Sequence, residues 1–340
     1  GSIFNNARVL FLSGALNYRL ASVMAEFTDN LSFADPIAQF GLPNLLHSLG
    51  ALELYASGTH PILRFEGGKS VLASVTPMRF LNHMVLRRAV KDAHVVVAPY
   101  EQLEHYGPEE LDGKTIITST VSDSRLEALR EKGVRLVLDC SIQPFKHTVG
   151  LHVVEATIMA ALDKPQDAIS HDDYLEIFTD LELKPRILYP IPGLKQVNRF
   201  AFVIHPLSQQ YLNNLKPLEL VSKVSPRPVM DLGEKAVAYT PPGVDPKGEG
   251  IRSPEGVEAE GWLIIVGGTP REIMSHAPEF TYRRLLAAAD IAKKLGAQIM
   301  GLGAFTKVVG DAGVTVAKRA PLPITTGNSY SASGALWAAH

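Results

Sequence analysis

The sequence predicts an α/β protein of two domains, and three observations carry that reading. Short β-branched runs alternate with apolar-periodic helical stretches through the first half of the chain. A glycine turn follows the first of these runs, as at the start of a βαβ unit. A stretch rich in proline and charge then interrupts the pattern before it restarts.

The first run is Val9-Leu10-Phe11-Leu12, followed by the turn Ser13-Gly14-Ala15-Leu16-Asn17 and a helical stretch over 18–27. Further strands are expected at 51–55, 94–98, 115–119 and 135–139, with helices near 124–132 and 152–162. Strands that alternate with helices pair in parallel, so residues 1–165 are expected to form a mainly parallel, doubly wound sheet. The first turn has one glycine where a dinucleotide fingerprint uses three. The domain therefore reads as a degenerate Rossmann-like layer structure, in which that turn is either a weak nucleotide site or an ordinary connection.

Pro165, Pro185, Pro190 and Pro192 stand among charged residues, and 166–195 is expected to be a linker. The second α/β domain, 196–340, opens with a strand over 199–204 that His205-Pro206 ends. A turn-rich insertion over 240–258 is expected as a hairpin or surface excursion, before a strand at 262–266. Thr269 is placed to cap a helix whose first residue is Pro270, and Gly296 to end a helix over 280–295. A strand over 298–302 then leads into a glycine-rich loop. A last helix, 331–340, has no C-terminal cap, so the natural protein is expected to continue beyond His340.

The chain's 340 residues are 46% hydrophobic and 20% charged, enough to bury large cores and unlike a disordered chain. A net charge of −2 and the lack of a basic run exclude nucleic acid and anionic membrane as expected partners. No segment approaches the roughly 20 apolar residues of a membrane span. One cysteine, Cys140, excludes an internal disulfide and a cysteine-rich zinc site, which makes the cytoplasm the expected compartment. The histidines have no metal-ligand spacing, and no metal is expected.

Candidate chemistry gathers in two stretches, Gly301-Leu302-Gly303-Ala304-Phe305-Thr306-Lys307 and Ile324-Thr325-Thr326-Gly327-Asn328-Ser329-Tyr330-Ser331. Such loops offer backbone N–H groups and hydroxyls to a carbonyl or a small anion. Lys307 is a candidate partner for a carboxylate or phosphate and Thr306 a candidate donor, against the plainer reading of a turn with a solvated lysine. The second stretch reads equally as a helix N-cap cluster worth about 1 kcal/mol. Cys140 follows a strand directly, with His147 and His152 behind it, so it is a candidate nucleophile or simply a core cysteine.

From Phe200-Ala201-Phe202-Val203-Ile204-His205-Pro206-Leu207-Ser208 to its end, the chain resembles the substrate domain of long-chain acyl-ACP reductases, a family grouped with predicted amino-acid dehydrogenases. The resemblance is strongest at Leu295-Gly296, at Leu302-Gly303-Ala304-Phe305-Thr306 and at Thr325-Thr326-Gly327-Asn328-Ser329-Tyr330. It implies an acyl thioester or related carbonyl substrate, attack by a thiolate, and hydride transfer from NAD(P)H. It implies that Gly303, Phe305, Thr306, Thr326, Gly327 and Asn328 lie beside the acyl group or cofactor. The cofactor domain and the acyl-accepting cysteine are then expected beyond His340, and Cys140, in the unmatched half, does not inherit that role. The chain is thus expected to be the N-terminal portion of an NAD(P)H-dependent reductase or dehydrogenase with a small-molecule or acyl-carrier substrate, its oligomeric state open. The alternative is a non-catalytic metabolite-binding or scaffold module of two α/β domains.

Overall fold

The valine-, isoleucine- and leucine-rich runs of the first half form strands, as β-branched residues suit a pleated surface covered on both sides. The computed structural model describes residues 2–63, 76–106, 111–141, 151–165, 168–180, 185–191, 197–206, 233, 235–245, 249–252, 258–303, 306 and 310–327. Strands β1 (Val9–Phe11), β2 (Leu31–Phe33), β3 (Val95–Val97), β4 (Thr115–Thr118), β5 (Leu136–Asp139) and β6 (Arg186–Leu188) make one sheet in the order β2-β1-β3-β4-β5-β6. All neighbours pair in parallel except β6, which runs antiparallel to β5. The connecting helices are α1 (Tyr18–Ala25), α2 (Asp35–Phe40), α3 (Leu49–Leu63), α4 (Thr76–Asp92), α5 (Tyr100–Tyr106) and α6 (Asp123–Glu131), with α7 (Leu151–Leu162) and α8 (His171–Asp180) before β6. Leu86 and Val90 of α4, Leu103 of α5 and Leu129 of α6 bury one face of the sheet through Leu10, Val96, Ile116 and Val137. On the opposite face Val9, Phe11 and Val95 are also buried, and Phe11 stacks on Phe33 with ring centres 5.3 Å apart.

Two sequence expectations change here. Residues 51–55 are not a strand but part of α3. The run Ala51-Leu52-Glu53-Leu54-Tyr55 contains no β-branched residue and four good helix formers, and its brief alternation does not outweigh them. Residues 166–195, expected as a linker, contribute α8 and the edge strand β6 to the first sheet's unit, which spans Ala7–Leu194. Pro185 and Pro190 flank β6 rather than interrupt it, a position an edge strand tolerates.

The second unit joins Lys195–His340 to the chain's first six residues, Gly1–Asn6. Buried Arg199 holds that N-terminal segment, with Nη2 donating to the carbonyls of Ile3 at 3.1 Å and Asn5 at 3.0 Å while Nε donates to Gly296 at 2.8 Å. The chain therefore passes between units twice, after Asn6 and after Leu194.

Strands β7 (Asn198–Ile204), β8 (Gly243–Val244), β9 (Glu249–Arg252), β10 (Glu258–Ile265), β11 (Ile299–Leu302) and β12 (Ile324–Thr325) form its sheet in the order β12-β11-β7-β10-β8, with β9 also on β10. The 240–258 insertion thus supplies two antiparallel edge strands, as a hairpin-like excursion should. Helices α9 (Pro270–Ser275), α10 (Pro278–Leu295) and α11 (Val314–Arg319) follow β10 and β11. Gly296 ends α10 in the left-handed region at φ 93°, whereas Thr269 precedes α9 without a side-chain capping bond. Leu285, Ala288, Ala289 and Ala292 of α10 pack on Ala201, Val203, Ile264 and Met300. The expected helix over 331–340 lies outside the described residues.

Among the parallel strands the two sheets share one order. Numbered within each unit, β2-β1-β3-β4 and β10-β7-β11-β12 both read 2-1-3-4. This is the flavodoxin-like arrangement rather than the Rossmann 3-2-1-4, because only one crossover runs outward before the chain turns back. Among the described residues no helix is long and apolar enough to cross a membrane.

Candidate functional site

In open α/β sheets ligands bind beyond the carboxyl ends of strands where the winding direction reverses. In the first unit that point lies between β1 and β3. The turn after β1 occupies it, but the N–H groups of Gly14 and Ala15 are already taken. Gly14 N donates to Asp35 Oδ2 at 2.7 Å and Ala15 N to Asp35 Oδ1 at 2.9 Å, while Ser13 Oγ donates to Gln102 Oε1 at 2.7 Å. Asp35 is fully buried just after β2, and burial holds its carboxyl pKa above the usual value against the lowering effect of the two N–H groups. Gln39 and Tyr55 continue the network, the Tyr55 hydroxyl donating to Gln39 Oε1 at 3.1 Å. Burial, and then the Asp35 charge, push the Tyr55 pKa up. A Cβ on Gly14 would lie 2.3 Å from Phe33 Cδ1, so this glycine serves packing. A pyrophosphate does not fit the turn: it would lose both N–H groups to Asp35 and meet a carboxylate. The plain reading, an ordinary connection, is the one this geometry favours.

Cys140 follows β5 directly, its N–H donating to Thr118 O at 2.8 Å. Desolvation and the neighbouring Asp139 push its thiol pKa up, the opposite of an activated nucleophile. Asp139 is itself engaged by Arg186, whose Nε donates at 3.0 Å and whose Nη2 also donates to it and to Val121 O. His147 lies outside the described residues.

In the second unit the reversal lies between β7 and β11. His205, buried, follows β7 with Nδ1 2.9 Å from Pro206 O. Gly303 follows β11 and its N–H donates to Val203 O at 3.0 Å. Thr306 closes the turn, its N–H and its hydroxyl both donating to Gly303 O at 3.1 and 2.6 Å. Thr306 is buried, so it braces the turn and its hydroxyl hydrogen is committed. A Cβ on Gly303 would sit 2.6 Å from Val203 O and 2.7 Å from the Phe202 ring, and one on Gly301 2.5 Å from that ring. These glycines admit an aromatic ring and a strand carbonyl, a need that a sequence cannot separate from ligand approach. Because Gly301 pairs with Thr325 in parallel, Thr326 and Gly327 leave β12 at the same edge as Gly303. Gly327 is exposed at φ 68° with open space where a Cβ would stand. Phe305, Lys307 and Asn328 lie outside the described residues.

Sequence reasoning missed Asp35 and His205. The available signals were the Asp35-Pro36 and His205-Pro206 pairs that follow strands. In the turn after β1 the N–H groups of Gly14 and Ala15 are both occupied by Asp35.

The fold defines a protein of two α/β units, each with a parallel 2-1-3-4 core. The chain belongs to the DUF8754 family, a domain of unknown function, whose family model matches residues 1–190 and so covers nearly all of the unit Ala7–Leu194. A stretch of 135 residues, 39% of this chain, is 27% identical to the aminotransferase PigE of Serratia sp. (strain ATCC 39006). It covers 16% of that protein, so the chain spans only a small part of this curated relative.

Proposed function

We propose that this chain supplies the substrate-handling part of an NAD(P)H-dependent reductase or dehydrogenase that acts on an acyl thioester or a related carbonyl compound. The observation that carries the reading is the meeting of Gly303 with Thr326 and Gly327 at adjacent strand ends beside the reversal point of the second sheet. The resemblance of this half to acyl-ACP reductases supports it. In this reading the half-buried Thr326 hydroxyl donates to the substrate carbonyl oxygen, Thr306 braces the turn from below, and the nicotinamide is held outside the described residues.

Titration of the purified chain with octanoyl-CoA and NADPH tests it. The thioester is expected to bind, Thr326→Val to weaken that binding about tenfold, and NADPH to be neither bound tightly nor oxidised. Failure of the thioester to bind overturns the reading. Turnover by this chain alone overturns the assignment of the cofactor elsewhere.

A second reading, a non-catalytic metabolite-binding or scaffold module, draws on the raised Cys140 thiol and the Asp35-capped turn. It predicts thioester binding with no aldehyde formed even by the complete gene product.

A further inference from the structure

Helix α4 packs inward through Leu86 and Val90, with Val85 and Ala89 partly buried beside them. Its opposite side is not the polar surface that such a helix ordinarily turns to water. Phe80 is 70% exposed, Met84 53% and Leu81 45%. Arg87, Arg88 and Lys91 are exposed as well. At about 100° per residue Phe80, Met84, Arg87, Arg88 and Lys91 fall on one outward stripe, with Leu81 at its edge. The stripe is divided along its length, apolar over 80–84 and cationic over 87–91.

These cations are weakly engaged. Arg88 meets Asp92 one turn on, at 3.8 Å with both side chains well exposed, and such a pair contributes little. Among the described residues Arg87 and Lys91 have no carboxylate partner. Three cations against Asp92 leave this side at +2, in a chain whose net charge is −2. A cation in the last turn suits the helix dipole, which accounts for Lys91 but not for the apolar residues ahead of it. Single exposed apolar side chains are ordinary, whereas three in adjacent turns mark a contact surface.

We propose that the outward side of α4 docks an acidic amphipathic helix of a partner protein. Apolar residues of that helix cover Phe80, Leu81 and Met84, and carboxylates further along it pair with Arg87, Arg88 and Lys91. Apolar anchors at i and i+4 suit helix recognition, and the guanidinium forks suit carboxylates. A membrane fits less well, because a helix lying on lipid buries its apolar face, and α4 has already given that face to the core. A second copy of this chain brings only Asp92 on this side of α4 to meet the cations. The surface lies on the first unit, so it is independent of the reductase reading and stands if that reading fails.

The test uses the full chain at low ionic strength with two helix-locked peptides that share a leucine face at i, i+3, i+4 and i+7. One has a glutamate-rich end and the other a lysine-rich end. Binding is followed by fluorescence anisotropy and by the methyl resonance of Met84. The glutamate peptide is expected to shift that resonance and to bind at least about tenfold more tightly than the lysine peptide, an advantage that added salt removes. Phe80→Ser is expected to weaken it about tenfold. Arg87→Glu combined with Arg88→Glu is expected to reverse the preference, and that gain of lysine-peptide binding itself shows the variant folded. Equal binding of the two peptides, or an unmoved Met84 methyl, overturns the surface, and the unmutated protein decides this even if the variants fail to fold. Binding to phosphatidylserine–phosphatidylcholine vesicles without either peptide binding overturns the protein partner in favour of lipid. A dimer in sedimentation velocity that Phe80→Ser dissolves overturns it in favour of a second copy.

Discussion

The two sheets share a parallel strand order but bury their faces differently. In the first, consecutive residues Val9, Leu10 and Phe11 are all buried, and so are Val95, Val96 and Val97. In the second, Val203 is fully buried while its neighbour Phe202 is 38% exposed, and Ile264 and Ile265 repeat that contrast. The exposed set sits over glycines: a Cβ on Gly261 would meet the Phe200 ring at 2.4 Å, and Gly301 and Gly303 stand likewise under Phe202. Strand order follows from the direction of successive crossovers, whereas burial follows from what each strand face carries. One topology therefore supports a sheet packed on both sides and a sheet whose second face is paved by aromatic rings laid over glycine.

The contrast breaks first at Phe11. Phe11→Ala leaves a cavity between packed layers and is expected to cost about 3–5 kcal/mol in urea denaturation. A loss near 1 kcal/mol instead would mean the first sheet is not tightly covered on that face.

Asp35→Ala comes next, because it leaves two N–H groups buried without an acceptor, and a loss of about 3 kcal/mol is expected. The pH dependence sharpens this. The Asp35 pKa is raised in the folded state, so its favourable contribution is complete below the unfolded value, about 3.9, and is lost as pH rises through the folded value. Relative to Asp35→Asn, the wild type should gain stability as the pH is lowered from 7 to about 4. A flat difference would show that the carboxyl titrates as in the unfolded chain.

Gly301→Ala is expected to cost about 1–2 kcal/mol, since the new methyl displaces the Phe202 ring. In a Phe202→Ala background the same change should cost clearly less, and additive losses would remove the ring as the reason for the glycine. Phe202→Ala alone should have the smallest effect, about 1 kcal/mol, in keeping with its partial exposure.

Much of the architecture was legible because period and composition act locally. The strands at 9–11, 95–97, 115–118, 136–139 and 198–204 follow from their β-branched and aromatic content, and the end of α10 from Gly296 in a left-handed cap. The run over 51–55 misled because five residues are too few for alternation to outweigh helix propensity. The candidate site was legible as a cluster of small and hydroxyl residues but not as roles. Thr306 resembles a free donor until its partner Gly303 O is known, and Gly301 resembles a ligand-approach glycine until Phe202 is seen across the strand pair.

By itself the sequence determined the α/β class, most strand positions and the two loops at the carboxyl edge of the second sheet. Tertiary structure alone decided the shared 2-1-3-4 order, the return of the first six residues to the second unit and the Asp35 cap on the 13–17 turn. The physical reason is range. Propensity and periodicity are written within a few residues, whereas register, burial and hydrogen-bond partners join groups up to 291 positions apart, as Asn6 and Ala297 are.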